Sequence, residues 1–339
     1  MTDIRQLDQS TIDRIAAGEV VERPAAALKE LVENSLDAGA DSVDVELEAG
    51  GTDLLRVADD GHGMTENAVE RAVEKHTTSK IERLADLEHV GTLGFRGEAL
   101  HAVAAVSRTT ITTRAAESPR GTQLTVEGGE VVDVSPAGRP VGTTVAVRDL
   151  FYNVPAREKY LAESATEFAH CNRVVSRYAL ANPDVAVSLT HDGREVFATP
   201  GRGDLREAAL AVYGREVAES LVPVDAVADA GDDGAVEDAE SGADADAPLA
   251  DAPLTRVHGY VSDPETTRST REYLATYVNG RYVDDAGLRD AVLSAYGGQL
   301  APDRYPFAVV FVECPPGAVD ANVHPRKLEV RFSDPQAVR

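Results

Sequence analysis

Hydrophobic and polar positions alternate with a period of two over several short stretches of the chain and with a period near 3.6 over others. Period two runs through Ser42 to Glu48, Asp53 to Ala58, Thr109 to Thr113, Thr122 to Glu127 and Thr143 to Val147, which predicts five strands. Val185 to Thr190 and Glu195 to Ala198, separated by Asp192-Gly193, predict a hairpin closed by a tight turn. Helical spacing covers residues 22–38, 66–76, 96–106 and 163–181. In the first of these helices Leu28, Leu31, Val32 and Leu36 form the apolar stripe, Pro24 suits a first turn and Gly39 follows the last. This order of elements is that of a mixed sheet with helices on one face, an α+β arrangement.

The pattern stops at residues 225–253, where Asp, Glu, Ala and Gly dominate and no basic or aromatic residue occurs. Ten acids lie between Asp225 and Asp251, the composition of a disordered acidic loop. Periodicity resumes with strands near 257–262, 273–279 and 307–313 and a helix near 285–296, a second and smaller α/β unit. The domain reading is therefore an N-terminal arm over 1–20, a first domain over 21–205 and a second over 206–335 that contains the insert. The arm is expected to fold only on dimerisation.

Composition narrows the setting. No apolar run approaches the roughly 18 residues of a membrane helix, and no basic-then-apolar leader opens the chain, so the expectation is a cytoplasmic protein without membrane contact. Cys171 and Cys314 are far apart and suggest neither a disulfide framework nor a zinc site. The net charge is −25, with five lysines against 28 arginines. Such a chain either repels nucleic acid or is built for a salt-rich cytoplasm, where acidic surfaces are screened; lysine depletion along the whole chain favours the second.

Against this background a few polar residues stand out. Glu30, Asn34 and Asp37, at i, i+4 and i+7, share one face of the first helix. They are either a solvated surface or a site in which an amide holds a metal while a carboxylate polarises water. Asp59-Asp60-Gly61-His62-Gly63 ends a strand; an Asp there can accept from an exocyclic amine while glycines admit a ring, although most Asp-Gly turns only reverse the chain. Gly91, Gly94 and Gly97 precede a helix, which suits either phosphate at a helix N-terminus or a mobile loop. Thr77-Thr78-Ser79-Lys80 adds hydroxyls and a cation, Gly142-Thr143-Thr144 opens a strand, and Lys327 follows Asn322-Val323-His324-Pro325. Neither a Walker loop nor a Gly-x-Gly-x-x-Gly fingerprint is present, so a nucleotide site would be of another design.

Taken in order, Glu30 with Asn34, Asp59-x-Gly-x-Gly, Gly94-x-x-Gly97 and Gly142-Thr143-Thr144 resemble the four motifs of the gyrase–Hsp90–histidine kinase–MutL (GHKL) ATPase superfamily. Ala16 to Pro24, Gly94 to Leu100, Phe151 to Arg157 and Asn322 to Pro325 resemble its MutL branch, the ATPase region of DNA mismatch repair. The resemblance implies a Bergerat-type α/β sandwich followed by a ribosomal-S5-domain-2-like domain, and a dimerisation domain beyond the end of this chain. It implies ATP and Mg²⁺, with Glu30 as general base, Asn34 as magnesium ligand and Asp59 as reader of the adenine amino group, helped by Gly63 and Thr143 through water. Gly94, Phe95, Arg96, Gly97 and Leu100 then resemble the phosphate lid, Thr78, Ser79 and Lys80 flank the nucleotide, and Lys327 resembles the lysine that reaches the γ-phosphate. Positioning and charge neutralisation are what phosphoryl transfer requires of such residues.

The implied function is a mismatch repair factor that hydrolyses ATP slowly and dimerises with ATP into a clamp on DNA, with a MutS-type mismatch-recognition protein as partner. Two departures bear on it. Asp60 stands where the family often has Asn, an extra carboxylate near the nucleotide; and Glu158 interrupts Arg157 and Lys159, which weakens a DNA contact there and leaves local arginines such as Arg281 to supply it. The alternatives are an ATP-driven chaperone, a topoisomerase ATPase domain, or a binding module that uses ATP only as a switch. The stretches around Phe151 and Asn322 argue against the first two, and Glu30 against the third.

Overall fold

The structure is a computed structural model; it describes residues 9–75, 77, 99–227, 254–315, 318–320 and 331–332. It divides into two compact units, Met1–Asp204 and Leu205–Arg339.

In the first unit helix α1 (Gln9–Val20) leads into α2 (Pro24–Asp37), followed by β1 (Ser42–Glu48), β2 (Leu54–Asp59), α3 (Glu66–Ala72) and α4 (Ala99–Ala105). Then come β3 (Arg108–Arg114), β4 (Gly121–Glu127), β5 (Glu130–Ala137), β6 (Gly142–Arg148), α5 (Pro155–Glu158), α6 (Ser164–Ala181), β7 (Ala186–His191) and β8 (Arg194–Ala198). The strands form one sheet in the order β5-β4-β3-β6-β2-β1-β7-β8. β1 and β7 run parallel and the other neighbours antiparallel, the mixed sheet that the pattern predicts.

One face of this sheet is apolar. Val43, Val45 and Leu47 of β1, Leu55 and Val57 of β2, Ile111 of β3, Leu124 and Val126 of β4, and Val187 and Leu189 of β7 are all buried. Residues between them point the other way and pair in polar fashion, as in the Arg56–Glu46 ion pair and the Ser188–Asp44 hydrogen bond across strands. α2 lies against β2, α4 and α6. It starts at Pro24 after an extended Arg23 and ends where the Ala38 N–H bonds the Asn34 carbonyl and Gly39 turns left-handed. Leu28, Leu31 and Val32 are buried as expected, each worth about 1.5–3 kcal/mol of transfer free energy. Leu36 is only half-buried; Glu33 and Ser35 take buried positions instead.

Some elements differ from the pattern. Within the expected arm, α1 is helical with Ala17 buried, and residues 1–8 lie outside the described residues. β5 was missed because its valines face solvent on both sides of an edge strand, with no alternation to read: Val131 and Val132 are both exposed. The helix expected over 66–76 stops at Ala72, and residues 96–98 of the next lie outside the described residues.

The second unit contains α7 (Leu205–Tyr213), α8 (Arg215–Glu219), β9 (Leu221–Val227), β10 (Arg256–Ser262), β11 (Thr267–Arg268), β12 (Leu274–Val278) and β13 (Arg281–Val283). α9 (Ala286–Ala295), β14 (Tyr305–Pro306), β15 (Ala308–Glu313), β16 (Val319–Asp320) and β17 (Arg331–Phe332) complete it. Its main sheet runs β13-β12-β15-β10-β9, with β12 and β15 parallel. Leu274, Val278, Val283, Leu288, Val310 and Val312 form its core. The acidic insert begins later than expected: Asp225 to Val227 belong to β9, and both Asp225 carboxylate oxygens accept from Arg256 at 2.9 Å. Residues 228–253 lie outside the described residues.

Candidate nucleotide site

The site grows from strand register. β2 pairs with β6 so that Asp59 faces Thr143, and β3 pairs with β6 so that Thr113 faces the same residue. The Asp59 carboxylate, 9% exposed, accepts from the Thr143 N–H at 3.1 Å, the Gly61 N–H at 3.1 Å and the Ser35 hydroxyl at 3.0 Å. A carboxylate offers about four acceptor directions, so one remains for an incoming donor such as an exocyclic amine. Burial raises the pKa of Asp59, while Ser35, Gly61, Thr143 and Arg139 oppose the rise. The Arg139 guanidinium donates to the Asp59 carbonyl at 2.5 Å and to the Thr144 hydroxyl, and burial lowers its own pKa.

Two glycines shape this corner. Gly63 has φ +64° and a Cβ there would lie 2.0 Å from the Arg114 carbonyl oxygen; Gly142 has φ +122° and its Cβ would lie 2.2 Å from the Asp59 carbonyl. Neither position admits a side chain, so the turn after β2 closes tightly on β3 and β6. The Met64 N–H and the Thr143 hydroxyl both meet the Thr113 hydroxyl, at 2.8 and 3.0 Å, and fix the turn from below.

Ser35 brings α2 to Asp59, and with it Glu30 and Asn34, one helical turn apart. The Asn34 side chain is exposed and the Glu30 side chain is 36% exposed. Lys29 Nζ lies 3.3 Å from Glu30 Oε1 and 2.9 Å from Glu33 Oε1, and the Tyr178 hydroxyl of α6 donates to Glu33 Oε1 at 2.5 Å. Burial works against the Lys29 charge, but Glu30 and Glu33 more than offset it and its pKa is raised; burial also raises Glu33, with Lys29 and Tyr178 opposing. Leu100 is half-buried on α4, which packs on α2.

Some expectations shift. Asp60 is turned to a structural task, its Oδ1 accepting from the N–H groups of Asp41 and Ser42 at 2.9 and 2.8 Å. The Gly61 and Thr143 main chains both donate to Asp59 Oδ1, while Gly63 forms the tight turn beside it. Thr78, Ser79, Lys80, Gly94, Phe95, Arg96, Gly97 and Lys327 lie outside the described residues. Arg157 is half-buried, with its stem 3.4 Å from where a Gly18 Cβ would sit; Lys159 is exposed, and Arg281 is half-buried on β13 of the other unit. Ser35, Thr113 and Arg139 were missed. Ser35 had a signal, a hydroxyl among the apolar positions of α2; Arg139 had none, since only the β5–β6 connection brings it to β2.

Among the described residues no group of three or more His, Cys, Asp or Glu could hold a metal ion, and no helix is long and apolar enough to cross a membrane. Residues 22–133 match the family described as histidine kinase-, DNA gyrase B- and HSP90-like ATPase, and residues 209–339 the family described as DNA mismatch repair protein, C-terminal domain. Similar curated proteins named DNA mismatch repair protein MutL include one from Halobacterium salinarum, 62% identical over 100% of this chain and 48% of its own length. Another, from Desulforudis audaxviator, is 47% identical over 100% of this chain and 56% of its own length. The chain thus spans about half the length of the curated relatives it matches. Among solved structures, the N-terminal domain of a DNA repair protein is 25% identical with a TM-score of 0.76, covering 96% of this chain and 94% of that one. The Aquifex aeolicus MutL ATPase domain complexed with ADP is 26% identical with a TM-score of 0.63, covering 88% and 94%. The chain belongs to the MutL family of DNA mismatch repair proteins and corresponds to the GHKL ATPase region of its members.

Proposed function

We propose that this chain is the ATP-hydrolysing part of a mismatch repair factor, which uses ATP to pair two copies into a clamp on DNA and to couple mismatch recognition by a MutS-type protein to later steps. The observation that supports it best is the join between Asp59 and α2. A buried carboxylate held by three donors keeps one acceptor direction for an adenine amino group, and the same hydrogen-bond set carries the helix of Glu30 and Asn34 to it. The resemblance to a MutL ATPase domain complexed with ADP supports a nucleotide there.

In this reading Asp59 accepts from the adenine amine, and the tight turn at Gly63 lets the ring lie against main chain. Glu30 accepts the proton of the water that attacks the terminal phosphate, work worth typically 10²–10⁴-fold for a general base. Asn34 fits Mg²⁺, since a hard cation takes an amide oxygen from the protein and its remaining ligands from phosphates and water. When bound, that ion supplies neutralisation of phosphate charge. Lys327 and the segment Gly94 to Gly97 are proposed as further phosphate contacts, and Arg157, Lys159 and Arg281 as local DNA contacts whose strength falls steeply with salt.

Light scattering in molar KCl tests the ATP-driven pairing. With a non-hydrolysable ATP analogue and Mg²⁺ the mass should double, and EDTA should return it to the single-chain value. A mass that ignores nucleotide and metal overturns this part of the reading.

A further inference from the structure

α2 carries more ionic chemistry than a metal ligand and a base require. Lys29 sits between two carboxylates, that of Glu33 at 2.9 Å and that of Glu30 at 3.3 Å. They are unequal. Glu33 is 5% exposed, and its Oε1 is held both by Lys29 and by the Tyr178 hydroxyl, from a helix more than 140 residues away in sequence. Glu30 stands at the open end, its side chain 36% exposed. An exposed Lys29 reaching into solvent would serve α2 equally well as a helix former. Instead its side chain is three-quarters withdrawn from water, and its ammonium meets a fixed acceptor on one side and a solvent-facing one on the other.

We propose that Lys29, anchored by Glu33 and Tyr178, is a positioning residue for Glu30. It occupies Oε1 of Glu30 and so fixes the rotamer in which Oε2 faces the attacking water. Removing such a clamp leaves ATP contacts in place and disorders only the group that takes the proton. A displacement of about 1 Å at a catalytic group costs on the order of 10²-fold in rate. The loss belongs in kcat, because a base contributes to the transition state and not to ground-state binding. This inference rests on Glu30 being the general base, and the experiment keeps the two apart.

Steady-state ATP hydrolysis and equilibrium binding of a non-hydrolysable analogue are measured for wild type, Glu30→Ala, Lys29→Met, Lys29→Arg and Tyr178→Phe. Lys29→Met strands a buried carboxylate, so Lys29→Met with Glu33→Gln is included, and thermal melting confirms that each variant folds. The expected result is a kcat for the Lys29→Met variants lower by roughly ten- to a hundredfold, with analogue affinity within about twofold of wild type. Lys29→Arg should restore most of the rate, Tyr178→Phe should fall between, and Lys29→Met should cause little further loss once Glu30 is alanine. Undiminished hydrolysis by Glu30→Ala overturns the base reading itself. A large loss in Glu30→Ala beside a normal kcat in folded Lys29→Met, or a loss of affinity matching the loss of rate, overturns the positioning role alone.

Discussion

In the proposed site, Asp59 is where folding and function pull against each other. Its carboxylate is buried, and burial raises its pKa above the ordinary 3.8. For an acid shifted in this direction, the stabilising contribution is fully present below the unfolded value and is lost as pH rises through the folded value. At neutral pH the ionised group therefore works against folding, and three donors only partly compensate. Asp59→Asn is expected to keep or raise the melting temperature at neutral pH while lowering ATP affinity by about tenfold or more, since an amide cannot accept at both oxygen positions. Calorimetric binding beside thermal melting checks this; unchanged affinity would remove Asp59 from the site. The sequence singled this residue out only through the set of motifs it belongs to, since an Asp-x-Gly-x-Gly turn at a strand end by itself most often just reverses the chain. The task of its neighbour Asp60 was not legible: the identical side chain one step on serves the main chain of Asp41 and Ser42, a partner set fixed by the β1–β2 pairing.

At the scale of elements, legibility followed burial asymmetry. β1, β2, β3, β4 and β6 each have one face in the core and one in water, so hydropathy records them directly. β5 and β9 sit at sheet edges, and exposed valines such as Val132 and Val222 carry no alternation. β9 is further masked by Pro223 and by the acids that start at Asp225, which made its end look like the insert. α2 was legible as a helix and half-legible as a site. Spacing puts Glu30 and Asn34 on one face without deciding between a surface and a site, and Glu33 and Ser35 hold buried positions where Tyr178 and Asp59 meet them from other elements. Non-local partners of this kind leave no local periodicity. The register of β6 against both β2 and β3 is the element-level device that assembles the corner, since a one-residue slip would carry Thr143 to the opposite face.

The whole molecule carries a charge of −25, and the acidic stretch after β9 contributes much of it. Self-repulsion on that scale weakens a compact state at low ionic strength, and screening relieves it. The melting temperature is accordingly expected to rise between about 0.1 and 2 M KCl, the concentrations at which repulsion is first felt and then screened; a fall or a flat response would count against a salt-adapted surface. The same screening weakens contact with DNA phosphates, so the DNA binding proposed above would fall on local arginines such as Arg157 and Arg281 rather than on overall charge. What joins these scales is the claim that α2 and the Asp59 corner together make an ATP-hydrolysing site. It is tested most directly by measuring, in one salt-rich buffer, analogue binding and ATP hydrolysis by wild type and Glu30→Ala. Equal binding with hydrolysis lower by about a hundredfold or more is the expected result. Equal rates of hydrolysis would contradict it.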